Sequence, residues 1–157
     1  MKLAIAIYLL AMTAANISVS TFGPWISPIN SFLFIGLDLT LRDWLHVKLK
    51  MSQMLLLILA GGVITYILNP TAGIIAIASA SAFTASAIID WVVFTKITGS
   101  WLKRANASNV AGAAVDSIAF PTIAFGVLLP HIIALQFAAK IAGGAVWAVL
   151  INKINKK

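Results

Sequence analysis

The 157-residue chain contains no cysteine, and its only acids are four aspartates. Without cysteine there is no disulfide frame, no thiolate nucleophile, no Cys-type zinc site and no indication of redox compartment. Charge of either sign is scarce. Charged residues make up 10% of the chain and hydrophobic residues 61%, with a mean hydropathy of +1.02. Soluble proteins carry roughly a quarter charged residues, so this chain cannot clothe a globule in polar surface. A soluble enzyme and a free nucleic-acid-binding domain are excluded, despite a pI near 10.1. G-x-x-x-x-G-K-[ST] is missing, which excludes ATP binding at a Walker site. H-E-x-x-H is missing too, and the two histidines, His46 and His131, are far apart along the chain. No metal site and no cofactor is expected, and no enzymatic activity.

What is present is apolar sequence in long runs. A bilayer core of roughly 30 Å takes about 20 mostly apolar residues per helix. Six stretches meet or approach that length, at about 3–22, 25–41, 53–69, 72–95, 105–128 and 132–151. Runs such as Met54–Ala60 and Ile74–Ala80 do not alternate, as the strands of a membrane barrel would. The expectation is one all-α membrane domain over residues 1–157, with six transmembrane helices. Lys2, the run Leu3–Met12 and Thr13-Ala14-Ala15 resemble a secretory signal peptide. The apolar run continues to about Phe22, however, which favours a retained first span.

The basic residues follow the connections. Lys2 precedes the first span, and Arg42, Lys48 and Lys50 lie between the second and third. Lys96, Lys103 and Arg104 lie between the fourth and fifth, and Lys153, Lys156 and Lys157 follow the sixth. The other three connections, near Gly23–Pro24, Asn69–Pro70 and Leu129–His131, hold no Lys or Arg. Ten of the eleven basic residues thus fall on one side of a six-helix path. The positive-inside rule makes that side, with both termini, cytoplasmic. It also places the two histidines on opposite sides of the membrane. The net charge of +7 is an orientation signal that suits anionic lipid head groups, so no nucleic-acid partner is called for.

The polar residues left inside the spans are the candidates for function, because ionisable groups there are costly and face an interior or a cavity. Asp43 reads as an ordinary loop residue. Asp38 stands four residues before Arg42, which fits either an i,i+4 pair at the interface or a gate. Asp90, near the inner end of span four, is an interfacial anchor or part of an inner gate. Asp116 lies about 18 Å along span five from Arg104, and Lys140 about 18 Å along span six from Asn152. They are opposite charges at similar depth on consecutive helices, read either as a structural ion pair or as a ligand- or proton-responsive one. Asn16, Asn30, Ser108, Asn109 and Gln136 add donors and acceptors. Ser79, Ser81, Thr84 and Ser86, interleaved with alanines, read as a close-packing face, as do Gly61-Gly62 and Gly143-Gly144. Pro121 interrupts span five just beyond Asp116. Residues 87–94 and 113–120 share A-x-x-D-x-x-x-F, an echo compatible with an inverted duplication.

The residues Ala80-Ser81-Ala82-Phe83 through Asp90-Trp91, Arg104-Ala105-Asn106-Ala107-Ser108-Asn109 and Val115-Asp116-Ser117-Ile118-Ala119-Phe120 resemble the queuosine-precursor transporter family, also described as vitamin-uptake-transporter-like. Gly36-Leu37-Asp38-Leu39-Thr40-Leu41-Arg42-Asp43 is similar to that family's acidic stretch at the end of an early span, and Asn16 to its first-span Asn. The resemblance covers about Asn16 to Gly126. The chain departs from the pattern in being compact and in having His46-Val47 where many members carry a Glu.

The resemblance implies a six-helix fold like the substrate-binding subunits of energy-coupling-factor transporters. It implies uptake of 7-cyano-7-deazaguanine or a related 7-deazapurine across the inner membrane. A guanine-like edge suits the Asp116 carboxylate, with Asn109, Gln136 or Lys140 as donors and Phe120, one turn from Asp116, as a stacking face. The expected binding residues are therefore Asp116, Asn109, Lys140, Gln136, Phe120, Asn16 and Ser108, with Asp90, Asp38 and Arg42 gating or proton-linked. The expected partners are the small-molecule substrate and the lipid bilayer, with a homo-oligomer admitted. Two other readings stay open: a vitamin-binding subunit of an ATP-driven complex, and a small phage-type holin or scaffold.

Overall fold

The computed structural model describes residues 1–155; Lys156 and Lys157, counted above among the topology charges, lie outside the described residues. Among the described residues there is no strand, and six helical segments follow one another through short connections. They are α1 (Lys2–Phe22), a composite α2, α3 (Met51–Leu68), α4 (Gly73–Lys96), α5 (Trp101–Phe125) and α6 (Pro130–Asn155). Segment α2 joins three stretches end to end: Ser27–Asn30, a π-helical run Ser31–Ile35, and Gly36–His46. Single 3-10 turns, Pro24–Ile26 and Pro70–Ala72, lead into α2 and α4.

The helix ends are set by local chemistry. The Ser100 side chain accepts a hydrogen bond from the Lys103 amide at 3.3 Å and opens α5. Gly126, in the left-handed region at φ 69°, closes it. Between α3 and α4 the Asn69 side chain accepts from the Thr71 amide and donates to Ser20 on α1 at 3.1 Å. That contact places the start of α4 beside the end of α1. Trp25 and His131 meet at the same end, with ring centroids 5.8 Å apart. At the other end His46 stacks on Trp91 and tilts against Phe94, while Arg104 lies 4.0 Å over the Phe94 ring. The two histidines thus occupy opposite ends of the bundle.

Among the described residues four helices are long and apolar enough to cross a membrane: Lys2–Phe22, Met51–Leu68, the run Pro70–Lys96, and Pro130–Ile154. The remaining two, α2 and α5, carry three of the four aspartates together with Asn30, Ser108 and Asn109. Their polarity is turned inward. Asp38, Thr40, Arg42, Asp43, Ser108, Asn109 and Asp116 are all buried, while Leu10, Trp25, Leu56, Leu59, Ile67 and Ile77 face outward. A polar interior within an apolar skin is the arrangement that lipid selects, because the cost of an unpaired polar group is greatest against hydrocarbon.

Close backbone packing holds α2 against α6. A Cβ on Gly36 would fall 2.7 Å from the Gly143 carbonyl carbon, and one on Gly143 would collide with the Phe32 carbonyl oxygen. Small residues let the two backbones approach that closely, as expected for Gly143-Gly144. The π-helical run presents its carbonyls to the same partner: Trp147 Nε1 donates to the Leu33 oxygen at 3.1 Å. Gly61 behaves likewise on α3, where any side chain would displace the Met12 sulfur of α1. An apolar core of Tyr8, Met12, Leu39, Leu45, Ile58 and Phe83 fills the half of the bundle nearer His46. Val19, Ile75, Ala78, Ala82 and Phe120 fill the other half.

Candidate substrate pocket

Asp116 on α5 and Lys140 on α6 form an ion pair of 2.7 Å, at 2% and 1% side-chain exposure. Lys140 has three protons, and all three are used. Its Nζ reaches Asp116 Oδ2, donates to Gln136 Oε1 at 2.9 Å and donates to Ser117 Oγ at 3.0 Å. Gln136 lies one turn before Lys140 on α6, and Ser117 follows Asp116 on α5. Because an ammonium can only donate, Gln136 must turn its oxygen to Lys140 and its NH2 group away. Among the described residues one oxygen of Asp116, Oδ1, has no partner, and Gln136 Nε2 is likewise unpartnered.

Asp116 and Gln136 both line a cleft of about 300 Å³ that also contacts Asn16, Ser27, Asn30, Ser79, Phe83 and Phe120. Only about 20 Å³ of it admits the centre of a water molecule, room for one or two waters. The walls are therefore nearly closed on one another, and a larger ligand must part them. Asn16 donates to Thr65 Oγ1 at 3.1 Å, and Asn30 donates to Ser18 and to the Ala15 carbonyl, which fixes the α1 side of the cleft. Among the described residues the hydroxyls of Ser27 and Ser79 have no partner. The residues that line the cleft thus carry an unpartnered carboxylate oxygen, an unpartnered amide NH2, two unpartnered hydroxyls and two aromatic rings, a mixed set that fits a flat ligand with both donors and acceptors on its edge once the walls part.

Of the residues expected at the site, Asp116, Lys140, Gln136, Phe120 and Asn16 meet here. Asn109 and Ser108 do not. Asn109 Nδ2 lies 3.4 Å from Thr40 Oγ1, beside Gly144, and Ser108 Oγ lies 3.0 Å from both oxygens of Asp43. They sit on the stripe of α5 that faces α2. Asp38, Arg42 and Asp90 also lie outside the pocket, in a second polar cluster. Arg42 donates to Asp38 at 2.6 Å and to Ser86 at 3.0 Å, and Ser86 donates on to the Gly112 carbonyl at 3.0 Å.

Three readings of the sequence need correction. Asp43 is not a loop residue: it lies inside α2, fully buried, because Ser108 offers it a hydroxyl across the interface. Arg42 does not belong with the topology charges, since it is 2% exposed and paired with Asp38. That pair is internal and not interfacial. Ser79 and Ser86 are more than a packing face: one borders the cleft and the other bridges Arg42 to α5. Ser27, Ser79 and Phe83 were not expected at the pocket. For Ser79 and Phe83 the signal is the 79, 83, 86, 90 spacing, which sets them on the same stripe of α4 as Asp90; Ser27, at the start of α2, carries no such signal.

Among the described residues no group of His and acidic side chains could hold a metal ion. No curated protein and no solved structure matches the chain. The model of one protein family, described as "Putative vitamin uptake transporter", matches residues 3–152. With several helices able to cross a bilayer and a buried polar cleft between them, the chain is a multi-pass membrane protein that belongs to this vitamin uptake transporter family.

Proposed function

We propose that the protein is an inner-membrane uptake transporter for a 7-deazapurine queuosine precursor such as 7-cyano-7-deazaguanine, with both termini cytoplasmic. The observation that carries this reading is the set of free groups around the Asp116–Lys140 pair. A guanine-type edge presents adjacent N–H donors, which suit the unpartnered Asp116 Oδ1. Its 6-carbonyl suits Gln136 Nε2, its ring nitrogens suit the Ser27 and Ser79 hydroxyls, and its faces suit Phe83 and Phe120. Such a ligand would satisfy groups that are otherwise costly to bury, and a ligand lacking that edge would leave them unpaired. The near-closed cleft supports alternating access, in which the helices part to admit the base and close around it.

Purified protein in liposomes, given radiolabelled 7-cyano-7-deazaguanine, tests this directly. Saturable uptake that excess unlabelled base suppresses, and that Asp116→Asn abolishes, is the expected result. Uptake indifferent to Asp116→Asn would overturn the binding role of the pocket. The family description favours a second reading, a vitamin-binding subunit driven by a separate ATPase. Uptake in liposomes that contain this protein alone separates the two, since a subunit of that kind would bind ligand without transporting it.

A further inference from the structure

The second polar cluster lies toward the His46 end of the bundle and contains three of the four aspartates. Arg42 balances one of them, Asp38, at 2.6 Å. Asp43 of α2 and Asp90 of α4 are the other two, and they converge on one turn of α5: Ser108 Oγ lies 3.0 Å from both oxygens of Asp43, and a Cβ on Gly112 would fall 3.3 Å from Asp90 Oδ1. Among the described residues neither has a cation within ion-pair distance. Ser108 donates to Asp43, whereas Asp90 is 1% exposed and, among the described residues, both of its oxygens lack a hydrogen-bond partner of good geometry, with the Ser108 hydroxyl nearby. Two carboxylates side by side in a dry interior do not both stay ionised. One shared proton turns their repulsion into a hydrogen bond, and the pair then titrates as a unit.

The pair has an entrance and a connection to the pocket. A cleft lined by Arg42, His46, Met51, Met54 and Trp91 leads to Asp90. Arg42 lies 5.3 Å from the centre of the Phe83 ring, and Phe83 borders the substrate pocket. We propose that the Asp43–Asp90 carboxyl pair is the proton-binding site that couples transport to the proton gradient, with Arg42 and Phe83 relaying its state to the pocket. This rests on the reading of the protein as a transporter. With the proton in place, Arg42 stays with Asp38 and Ser86. When the proton leaves to water in the cleft, the pair gains a second negative charge. Arg42, whose Nε has no partner, is then drawn toward Asp90 and away from the Phe83 face.

Other groups around the pair must be separated from it. Tyr8 on α1, Asp38 and His46 on α2, and Arg104 and Ser108 on α5 are its polar and titratable neighbours; α3 contributes only Met51 and Met54 to the cleft. Lys140 on α6 is held by Asp116. His46 is the imidazole that lines the same cleft, and partial burial and the nearby Arg104 hold its pKa below the ordinary histidine range, so His46→Gln is the control.

Two measurements test the proposal. Infrared difference spectra of purified protein without substrate should show a carboxylic C=O band that vanishes as pH rises. Asp90→Asn, whose amide can still donate to Asp43, should lose that band; an unchanged band overturns the proposal. In liposomes, Asp90→Asn should still exchange labelled for unlabelled 7-cyano-7-deazaguanine across the membrane but lose accumulation driven by a pH gradient. Accumulation that persists in Asp90→Asn, that is lost instead in His46→Gln, or that follows a sodium gradient overturns it. If Asp90→Asn does not fold, Asp43→Asn is the second variant, with the same expected losses. The infrared arm needs no substrate, so a base that is never transported sinks the substrate reading alone.

Discussion

Lys140 directs its three protons to Asp116, Gln136 and Ser117, whereas one oxygen of Asp116 has no partner among the described residues. The lysine is thus saturated by the protein and the aspartate is not. A pair that served only to cancel two charges would need no such asymmetry. That free oxygen, on a residue that lines the same cleft as Phe83 and Phe120, is what supports the proposed recognition role.

That asymmetry separates the roles of the two residues. Lys140→Met leaves a buried carboxylate without its cation, which typically costs about 3–5 kcal/mol. The expected result is a large drop in the thermal midpoint of the detergent-solubilised protein. The double variant Asp116→Asn/Lys140→Met should regain most of that stability without regaining ligand binding. A double variant that binds as well as the parent would show that the pair is structural.

Phe120 and Phe83 should contribute by stacking. Aromatic contacts to a base are worth about 1–3 kcal/mol each by truncation to alanine. Phe120→Ala is therefore expected to weaken 7-cyano-7-deazaguanine binding by roughly tenfold or more, measured by ligand-induced thermal stabilisation. Phe120→Leu should fall in between, since it keeps the apolar volume and loses the ring face.

The α2–α6 contact makes no allowance for a side chain at Gly143. Gly143→Val would drive a branched group into the Phe32 carbonyl, and overpacking of this kind costs about 1–3 kcal/mol or more. The measurable outcome is loss of monodisperse protein on size exclusion after extraction. Gly23→Ala is the contrast, because nothing lies near a Cβ there and only the positive φ of 80° is strained.

The natural absence of cysteine makes topology simple to read, since each introduced thiol is the only one. Thr71→Cys, exposed at the Asn69 end, should react with an impermeant maleimide from outside intact cells. Lys50→Cys, exposed at the other end, should react only after the membrane is opened. The reverse pattern would invert the assigned orientation.

Much of the architecture was legible in the residue order. Long apolar runs separated near Gly23–Pro24, Asn69–Pro70 and Leu129–His131 led to helices of the observed type, and the depth count set Asp116 and Lys140 at one level. Less legible was the boundary between helix and connection at the end of α2. There Arg42 and Asp43 look like loop charges, and only burial against Ser86 and Ser108 shows them to be interior. The stripe Ser79, Phe83, Ser86, Asp90 was visible as a spacing, but nothing in it said which face of α4 met α2 and α5.

The sequence by itself determined that this is a helical membrane protein, and that its few intramembrane charges are where chemistry must be sought. Both follow from composition, since hydrocarbon tolerates neither unpaired backbone nor stray charge. Only the tertiary structure decided how the polar residues divide. Asp116, Lys140 and Gln136 went to one cleft, and Asp38, Arg42, Asp43, Asp90 and Ser108 to another cluster. The reason lies in the solvent. In water, the 3.6-residue alternation of polar and apolar residues marks the buried face of a helix. In a bilayer the outside is as apolar as the core, so that contrast fades and the rotation of each helix is settled by which polar side chains find partners.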